Sequence, residues 1–143
     1  METCIIRCSQ CHTQNRIPVA KIASDPQCGK CKQAILSGPV NATGNNFEAF
    51  KQAGLPIVID FWASWCGPCQ QFAPTYSQVA TELAGKAIFL KLDTEAEQQL
   101  AGQFQIRSIP TLMVLKAGKE QTRVAGALPA NQFRQWLTQS GIA

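Results

Sequence analysis

The first 46 residues contain no aromatic side chain, and the whole chain of 143 residues has a single histidine. Charged residues make up only 15% of the composition, and the net charge is +4. A charge this small does not indicate a nucleic acid or an anionic membrane as partner. The longest apolar run, 55–63, is interrupted by Asp60 and is far shorter than the roughly 20 residues of a membrane-spanning helix. We therefore expect no nucleic-acid partner and no membrane association.

The amino-terminal sequence "METCIIRCSQC" mixes acidic and basic residues with cysteines. It lacks the apolar stretch of roughly 7 to 15 residues that a secretory signal requires, so we expect a cytoplasmic protein. Seven cysteines are many for this length. An odd number in a reducing compartment argues against a framework of disulfides. Metal binding or thiol catalysis is the expected use of these cysteines.

The uneven distribution of aromatic residues divides the chain near residue 40. The stretch "LSGPVNATGNN" at 36–46 is rich in turn-forming residues and reads as a junction. A chain of this length supports one ordinary hydrophobic core and a small appended module. We predict a four-cysteine module over 1–38 and the main domain over 39–143.

Hydrophobic periodicity in the main domain indicates strands that alternate with helices and end in a hairpin. This order predicts a mixed α/β sheet with helices on both faces. The predicted strands are 56–63, 87–93, 111–118 and 120–126, and the predicted helices are 47–53, 67–84, 96–105 and 130–139.

Four cysteines in the first module form two C-x-x-C pairs separated by 16 residues, namely Cys8, Cys11, Cys28 and Cys31. This spacing is typical of a tetrahedral zinc site. A segment without aromatic residues buries too little apolar surface to fold unaided, and zinc binding can supply the missing stability. We predict one structural Zn²⁺ on these four thiolates.

Two further residues of the module could also act as ligands. Cys4 could replace Cys8, although a small buried apolar side chain is the simpler interpretation. His12 follows Cys11 directly, which makes simultaneous ligation awkward, so we place it at the surface. Basic residues outnumber acidic ones in this module, but no aromatic ring is available to stack on a base, and a solvated or protein-docking face is the better interpretation.

The last two cysteines, Cys66 and Cys69, stand in "SWCGPCQ" between a predicted strand and a predicted helix. No histidine and no further cysteine follows Cys31 apart from this pair, so a closed zinc site is not expected there. The start of a helix favours a thiolate because unpaired N–H groups and the positive end of the helix dipole face it. We predict dithiol–disulfide exchange, in which Cys66 attacks a substrate disulfide and Cys69 resolves the mixed disulfide.

The main domain resembles the thioredoxin family through "DFWASWCGPC" at 60–69, "RSIPT" at 107–111 and "VAGAL" at 124–128. The resemblance covers about 39–143 and implies the thioredoxin fold. The four-cysteine extension resembles that of the zinc-containing second type of bacterial thioredoxin and implies a zinc-ribbon-like module.

The resemblance also implies roles for Asp60 and Pro110. Asp60 matches the family's buried carboxylate, and its place on a strand covered on both sides predicts a raised pKa, with Lys91 as candidate partner. Such a carboxyl suits proton exchange with Cys69. Pro110 matches the family's cis-proline, whereas sequence alone favours a trans bond.

A cis bond at this position would turn the backbone of Ile109 toward Cys66 and let an extended substrate segment pair with it, with Gly126 permitting close approach. The substrate-docking patch is predicted to consist of Trp65, Gly67, Pro68, Ile109, Gly126 and Ala127.

The implied function is protein-disulfide reduction, with re-reduction by an NADPH-dependent flavoprotein, thioredoxin reductase. Its substrates would be disulfide-containing proteins, and no organic cofactor is expected in the chain. A net oxidant or isomerase is disfavoured because no export signal is visible. An alternative from a different class is a zinc-thiolate redox sensor or binding module, for which the larger domain is mainly a scaffold.

Overall fold

The computed structural model describes residues 2–142. These residues form seven strands and four α-helices, and from α1 onward the elements follow the predicted order. The strands are β1 (Thr3–Arg7), β2 (Gln14–Pro18), β3 (Val40–Asn41), β4 (Ile57–Trp62), β5 (Ile88–Asp93), β6 (Thr111–Lys116) and β7 (Lys119–Ala125). The helices are α1 (Phe47–Lys51), α2 (Gly67–Glu82), α3 (Gln98–Gln103) and α4 (Ala130–Gln139).

The main sheet has five strands in the order β3-β5-β4-β6-β7. Strand β5 runs parallel to β3 and β4, whereas β6 runs antiparallel to β4 and pairs with β7 as a hairpin. The prediction of a mixed sheet is therefore confirmed. The central strand β4 is buried from Ile57 to Phe61, and residues 63–66 follow directly at its carboxyl end.

Alternation along β4 divides the core between the two faces of the sheet. Ile57, Ile59 and Phe61 belong to an apolar cluster that includes residues of α1 and α3. Val58 faces the other way, into a cluster with residues of α2 and α4. Helices thus cover both faces, as predicted. Within residues 2–142, no helix is both long enough and apolar enough to cross a bilayer.

Helix α2 begins where the sequence predicts and ends two residues earlier than predicted. Cys66 is its N-cap, and Pro68 lies in its first turn, where a residue without an amide proton is tolerated. The helix contains Pro74 and runs as a single element to Glu82. Gly85 follows with a φ of +88°, a left-handed conformation that glycine adopts at little cost.

The amino-terminal segment folds as an antiparallel hairpin of β1 and β2, followed by a 3₁₀ helix over Val19–Ser24. Sequence analysis did not predict these elements. Ile6 and Ile22 are fully buried and belong to the same apolar cluster as Phe47 and Ile59. The segment therefore packs against the main domain and shares a core with it.

Candidate functional site

The C-x-x-C pair of the main domain lies at the amino end of α2, and Cys66 and Cys69 are joined by a disulfide. Both side chains are buried, with only 4% and 3% of their surface exposed. The Cys66 sulfur accepts a hydrogen bond of 3.2 Å from the backbone N–H of Cys69. This donor persists when the disulfide opens, because it belongs to the helix backbone, and it would then stabilise a thiolate on Cys66.

Asp60 is completely buried on β4, and neither of its carboxylate oxygens has a hydrogen-bond partner among the described residues. Burial raises the pKa of Asp60 to about 7, although the nearby charge of Lys91 acts in the opposite direction. Asp60 shares its face of the sheet with Val58, which packs against α2. A carboxyl with this pKa exchanges protons readily near neutral pH.

Lys91 lies directly beside Asp60, as its register partner on the parallel strand β5. Its ammonium nitrogen stands 4.8 Å from the centre of the Trp62 ring, a cation–π contact. It forms no ion pair with Asp60 within residues 2–142. The prediction that Lys91 is the partner of Asp60 is supported by the effect of its charge on the pKa of Asp60. It is not supported by a direct ion pair.

The loop before β6 approaches the dithiol from the other side. The Ile109–Pro110 peptide bond is cis, and the carbonyl oxygen of Ile109 lies 3.8 Å from the Cys66 sulfur. The backbone N–H of Gly126 donates to the carbonyl oxygen of Pro110 at 2.8 Å. The structure thus brings "SIP" and "AGA" next to "WCGPC", three segments that are far apart in the sequence.

The predicted docking residues lie around the sulfur of Cys66 with different exposures. Trp65 is 67% exposed, the only large apolar side chain so exposed within residues 2–142. Gly67, Pro68 and Ala127 are also exposed, whereas Ile109 and Gly126 are half-buried. The indole N–H of Trp65 donates to the carboxylate of Glu95. Sequence analysis missed Glu95, since nothing in its local pattern distinguishes it from a solvated acid.

The four cysteines of the amino-terminal segment converge on one point, with all four sulfurs within 4.8 Å of one another. The sulfurs of Cys8 and Cys31 are 3.7 Å apart, and those of Cys11 and Cys28 are 3.6 Å apart. A tetrahedron with Zn–S bonds of about 2.3 Å has edges of about 3.8 Å. The cluster therefore fits a single Zn²⁺, which would cross-link the two C-x-x-C turns when bound.

Each C-x-x-C turn of the cluster has the same backbone hydrogen bonds. The Cys8 sulfur accepts from the amide two residues on, at 3.4 Å, and so does the Cys28 sulfur. The turns end in His12 and Lys32, with φ of +65° and +66°. We call these two turns the knuckles, 8–13 and 28–33. Hydrogen bonds from the Cys31 backbone N–H and from the Asn15 side chain lower the pKa of the Cys28 thiol to about 6, which favours metal binding.

Neither Cys4 nor His12 belongs to the cluster. Cys4 is buried in the apolar core of β1, and its burial raises the pKa of its thiol. The side chain of His12 is exposed. The interpretation of Cys4 as a small apolar residue and of His12 as a surface residue agrees with these positions.

Asn46 joins the amino-terminal hairpin to the main domain through a set of hydrogen bonds that sequence analysis missed. Its side-chain amide donates to the carbonyl oxygens of Ile5 and Asn41, at 3.0 and 3.1 Å. Its side-chain oxygen accepts from the amide of Thr43 at 2.8 Å. These hydrogen bonds link β1, β3 and the loop before α1. Asn46 is only 1% exposed, so the linking amide is buried.

Comparison with known proteins identifies both parts of the chain. Residues 38–139 match the family model described as Thioredoxin, and residues 7–33 match the model described as Thioredoxin 2, N-terminal, a zinc ribbon.

Relatives and solved structures agree with these matches. Thioredoxin C-3 of Corynebacterium nephridii is 43% identical over 137 residues, 94% of either chain. Thioredoxin of Chlorobaculum thiosulfatiphilum is 44% identical over 64% of this chain and 86% of its own. The crystal structure of spinach chloroplast thioredoxin F, in its short form, superposes with a TM-score of 0.68 at 32% identity, covering 76% of this chain and 98% of that one. The chain therefore belongs to the thioredoxin family, in the form that carries an amino-terminal zinc ribbon.

Proposed function

We propose that the protein reduces disulfides in other proteins, with Cys66 as nucleophile and Cys69 as resolving thiol. The thiol–disulfide oxidoreductase activity itself follows from family membership. The single observation that supports these roles best is the position of the pair, with Cys66 as N-cap of α2 and Cys69 one turn further in.

In the first step the Cys66 thiolate attacks one sulfur of the substrate disulfide. A mixed disulfide forms between Cys66 and the substrate, and the other substrate sulfur leaves as a thiolate. The amide of Cys69, which points at the Cys66 sulfur, stabilises the attacking thiolate by a charge-assisted hydrogen bond.

In the second step Cys69 loses a proton and attacks the Cys66 sulfur, which releases the substrate as a dithiol. The disulfide between Cys66 and Cys69 is the product of this step. Asp60 would accept the proton of Cys69, because its pKa of about 7 lets it change protonation state at working pH. The two substrate sulfurs leave as thiolates and take up protons from solvent, and solvent receives the protons of Cys66 and, through Asp60, of Cys69. The substrate thus gains two electrons and two protons overall.

A substrate segment would bind beside the sulfur as an extended strand. The proposed contacts are the backbone of Ile109, next to cis-Pro110, and the exposed faces of Trp65 and Pro68. Gly126 has no heavy atom within 4 Å of the position of an added Cβ, so it leaves room for another backbone to approach.

The zinc ribbon is proposed to hold one Zn²⁺ per chain on Cys8, Cys11, Cys28 and Cys31, as a structural ion. The proposed division of the chain is a zinc module over 1–38 and a thioredoxin domain over 39–143, supported by the family matches over 7–33 and 38–139.

An NADPH-dependent flavoprotein of the thioredoxin reductase type is the proposed electron donor, since the family generally works with one. Cytoplasm is the proposed compartment. A reducing environment keeps the four zinc-binding cysteines from forming disulfides, and it keeps the dithiol of Cys66 and Cys69 reduced.

The test compares wild type, Cys66→Ser and Cys69→Ser in the reduction of a model protein disulfide by NADPH and a thioredoxin reductase. We expect Cys66→Ser to lose activity by roughly three orders of magnitude or more, as is usual for a missing nucleophile. Cys69→Ser should trap a mixed disulfide through Cys66, visible by mass spectrometry. Equal rates for Cys66→Ser and wild type would refute the proposal.

A second proposed function is that of a redox sensor, in which the zinc-bound thiolates are the oxidised groups. It is favoured by the half-buried positions of Cys11 and Cys31, which leave the cluster open to oxidants. In this case peroxide would oxidise the thiolates and release zinc. Zinc release by low peroxide, measured with a chromogenic chelator while Cys66 and Cys69 are both serine, would support it. Retention of the metal under the same treatment would exclude it.

A further inference from the structure

A groove of about 400 Å³ lies beside the redox disulfide, on the side of α3. It is lined by Trp65, by residues of α3 and by the loop 105–109, and we call it the α3 groove. Ile109 belongs to this lining, and its carbonyl oxygen lies 3.8 Å from the Cys66 sulfur. A substrate segment that presents its disulfide to Cys66 therefore lies next to the α3 groove.

The segments that form the redox site carry no charged side chain. Residues 63–81, 108–115 and 124–133 contain no aspartate, glutamate, lysine or arginine. The charged residue that lines the α3 groove is Arg107, and further charges stand in the loop between β5 and α3. Because the surface around the dithiol is otherwise neutral, a cation at its edge has a large influence on the local electrostatic potential.

The three carboxylates of the loop between β5 and α3 are engaged away from the α3 groove. Asp93 accepts from two backbone amides of its own loop, at 2.9 and 3.2 Å. Glu97 accepts from a backbone amide before α1 at 2.9 Å, and Glu95 accepts from the indole N–H of Trp65. Asp93 and Glu97 line a different cavity, beside the amino-terminal hairpin. None of the three forms an ion pair with Arg107 within residues 2–142.

Arg107 is exposed and has no partner of its own. Each of the four other arginines donates a side-chain hydrogen bond to an oxygen atom, whereas Arg107 forms neither such a bond nor an ion pair within residues 2–142. It stands two residues before Ile109, so the two Cα atoms are at most about 7 Å apart. Its long side chain can therefore reach substrate residues close to the attacked sulfur.

We propose that Arg107 selects disulfides that have an acidic side chain within a few residues of the attacked cysteine. The substrate carboxylate would lie in the α3 groove, on the side away from Glu95, and receive charge-assisted hydrogen bonds from the guanidinium. Protein disulfides flanked by aspartate or glutamate are then the preferred substrate class. This preference rests on the reductase function proposed above, and Arg107 itself takes no part in the exchange of sulfur bonds.

The test measures a single turnover of the pre-reduced, zinc-loaded, full-length protein with peptide disulfides, so that no reductase takes part. Three peptides differ only in the residues that flank each cysteine, which are glutamate, glutamine or lysine. Flanking charge changes the reactivity of a disulfide by itself, so the quantity compared between variants is the glutamate-to-lysine ratio of second-order rate constants. Arg107→Gln should lower this ratio about twofold to fivefold, the range of an exposed charge pair, and Arg107→Glu should lower it further.

Lys119→Glu is the matched control for Arg107→Glu, because it makes the same change in net charge far from the dithiol. Lys119 pairs with Lys116 at one end of the β6–β7 hairpin, whereas the end next to the redox site is the pair of Thr111 and Ala125. The control should leave the rate ratio as in wild type. The effect of the Arg107 variants should shrink at 1 M salt, where the screening length is about 3 Å.

Three results would overturn this preference. Equal rate ratios in wild type and in both Arg107 variants would refute it and leave the reductase function standing. A drop of the same size in Lys119→Glu as in Arg107→Glu would also refute it, since the effect would then come from net charge and not from the α3 groove. Failure of the wild-type protein to reduce any of the three peptides would instead refute the reductase function, and the preference with it.

Discussion

The two cysteine-bearing regions use the same C-x-x-C spacing in turns that begin alike. In each of the three turns the sulfur of the first cysteine accepts a backbone N–H. The carbonyl oxygen of that cysteine also accepts from the amide four residues on, at 3.0 to 3.1 Å. These amides belong to His12, Lys32 and Gln70. The carbonyl hydrogen bond is therefore common to metal ligands and redox thiols. The donor to the sulfur differs, since it is the amide two residues on in each knuckle and the amide of Cys69, three residues on, at α2.

The regions differ in the path of the chain after the second cysteine. His12 and Lys32 adopt positive φ, and the chain turns back, so that the amides of Cys8 and Cys28 pair with Thr13 and Gln33. After Cys69 the chain continues as α2 instead, with Pro68 in the first turn. Each knuckle points two sulfurs at a shared centre, whereas Cys66 and Cys69 belong to no such cluster of metal ligands within residues 2–142.

The largest expected effect that sharpens this comparison comes from removing one knuckle sulfur. Cys28→Ala should lose the zinc ion, because three thiolates hold Zn²⁺ less well than four. Structural zinc contributes roughly 10 to 16 kcal/mol in small zinc domains. We expect a large drop in melting temperature, measured by circular dichroism, and less than one zinc per chain by atomic absorption.

Cys4→Ala is the control for that experiment, since Cys4 is a buried thiol outside the cluster. It should keep a full complement of zinc and lose about 1 kcal/mol of stability, the usual result of a small core truncation. Loss of zinc from Cys4→Ala, or full zinc in Cys28→Ala, would break the assignment of the four ligands.

An intermediate effect is expected at Asp60, the buried carboxyl that belongs to the redox region alone. Its pKa is about 7 in the folded protein, compared with 3.8 for an ordinary aspartate. The folded protein therefore binds this proton more tightly than the unfolded chain does. The contribution of Asp60 is therefore most favourable below pH 4, and it is lost as the pH rises from about 4 to 7. Asp60→Asn removes the charge and should be more stable than wild type above pH 7.

The gain is at most about 4 kcal/mol, which is a difference of about 3 pKa units at 1.36 kcal/mol each. Urea unfolding of both proteins at pH 4 and pH 8 measures it, and the two should be close in stability at pH 4. An Asn variant equally stable with wild type at pH 8 would mean that Asp60 does not carry a raised pKa.

The smallest expected effect concerns the residues that turn the knuckles back. His12→Gly should stabilise the zinc-loaded protein by up to about 1 kcal/mol, because a residue with a Cβ is strained at positive φ. Gln10→Gly in the same turn has no positive φ to relieve and should be destabilising. Thermal melting of the two variants would show opposite shifts, and shifts of equal sign would count against this account of the turn.

Much of the fold followed from the sequence because the main domain has strong periodic signals. The buried run at 56–63 and the apolar strand at 87–93 contain β4 and β5, and the predicted hairpin coincides with β6 and β7. Helices 67–84 and 96–105 were each predicted a few residues too long. Helix ends depend on capping contacts that a periodic pattern does not contain.

The elements that sequence analysis missed depend on contacts between distant residues. Strands β1 and β2 are five residues each and carry charged residues, so their pattern is too short to identify. Asn46 precedes α1, yet its side chain makes no capping bond and binds β1 instead, a contact between distant residues that no local pattern predicts. The C-x-x-C spacing was enough to predict that Cys8, Cys11, Cys28 and Cys31 come together. The catalytic and zinc-binding roles of the cysteines stay predictions.

The apolar cluster common to Ile6, Ile22, Phe47 and Ile59 has a consequence for how this protein melts. A core that spans both segments couples their unfolding, so heating should give one calorimetric peak rather than two. Chelators would then lower the melting temperature of the entire chain, and a cut at residue 38 would remove the apolar contacts that Ile6 and Ile22 contribute to this cluster.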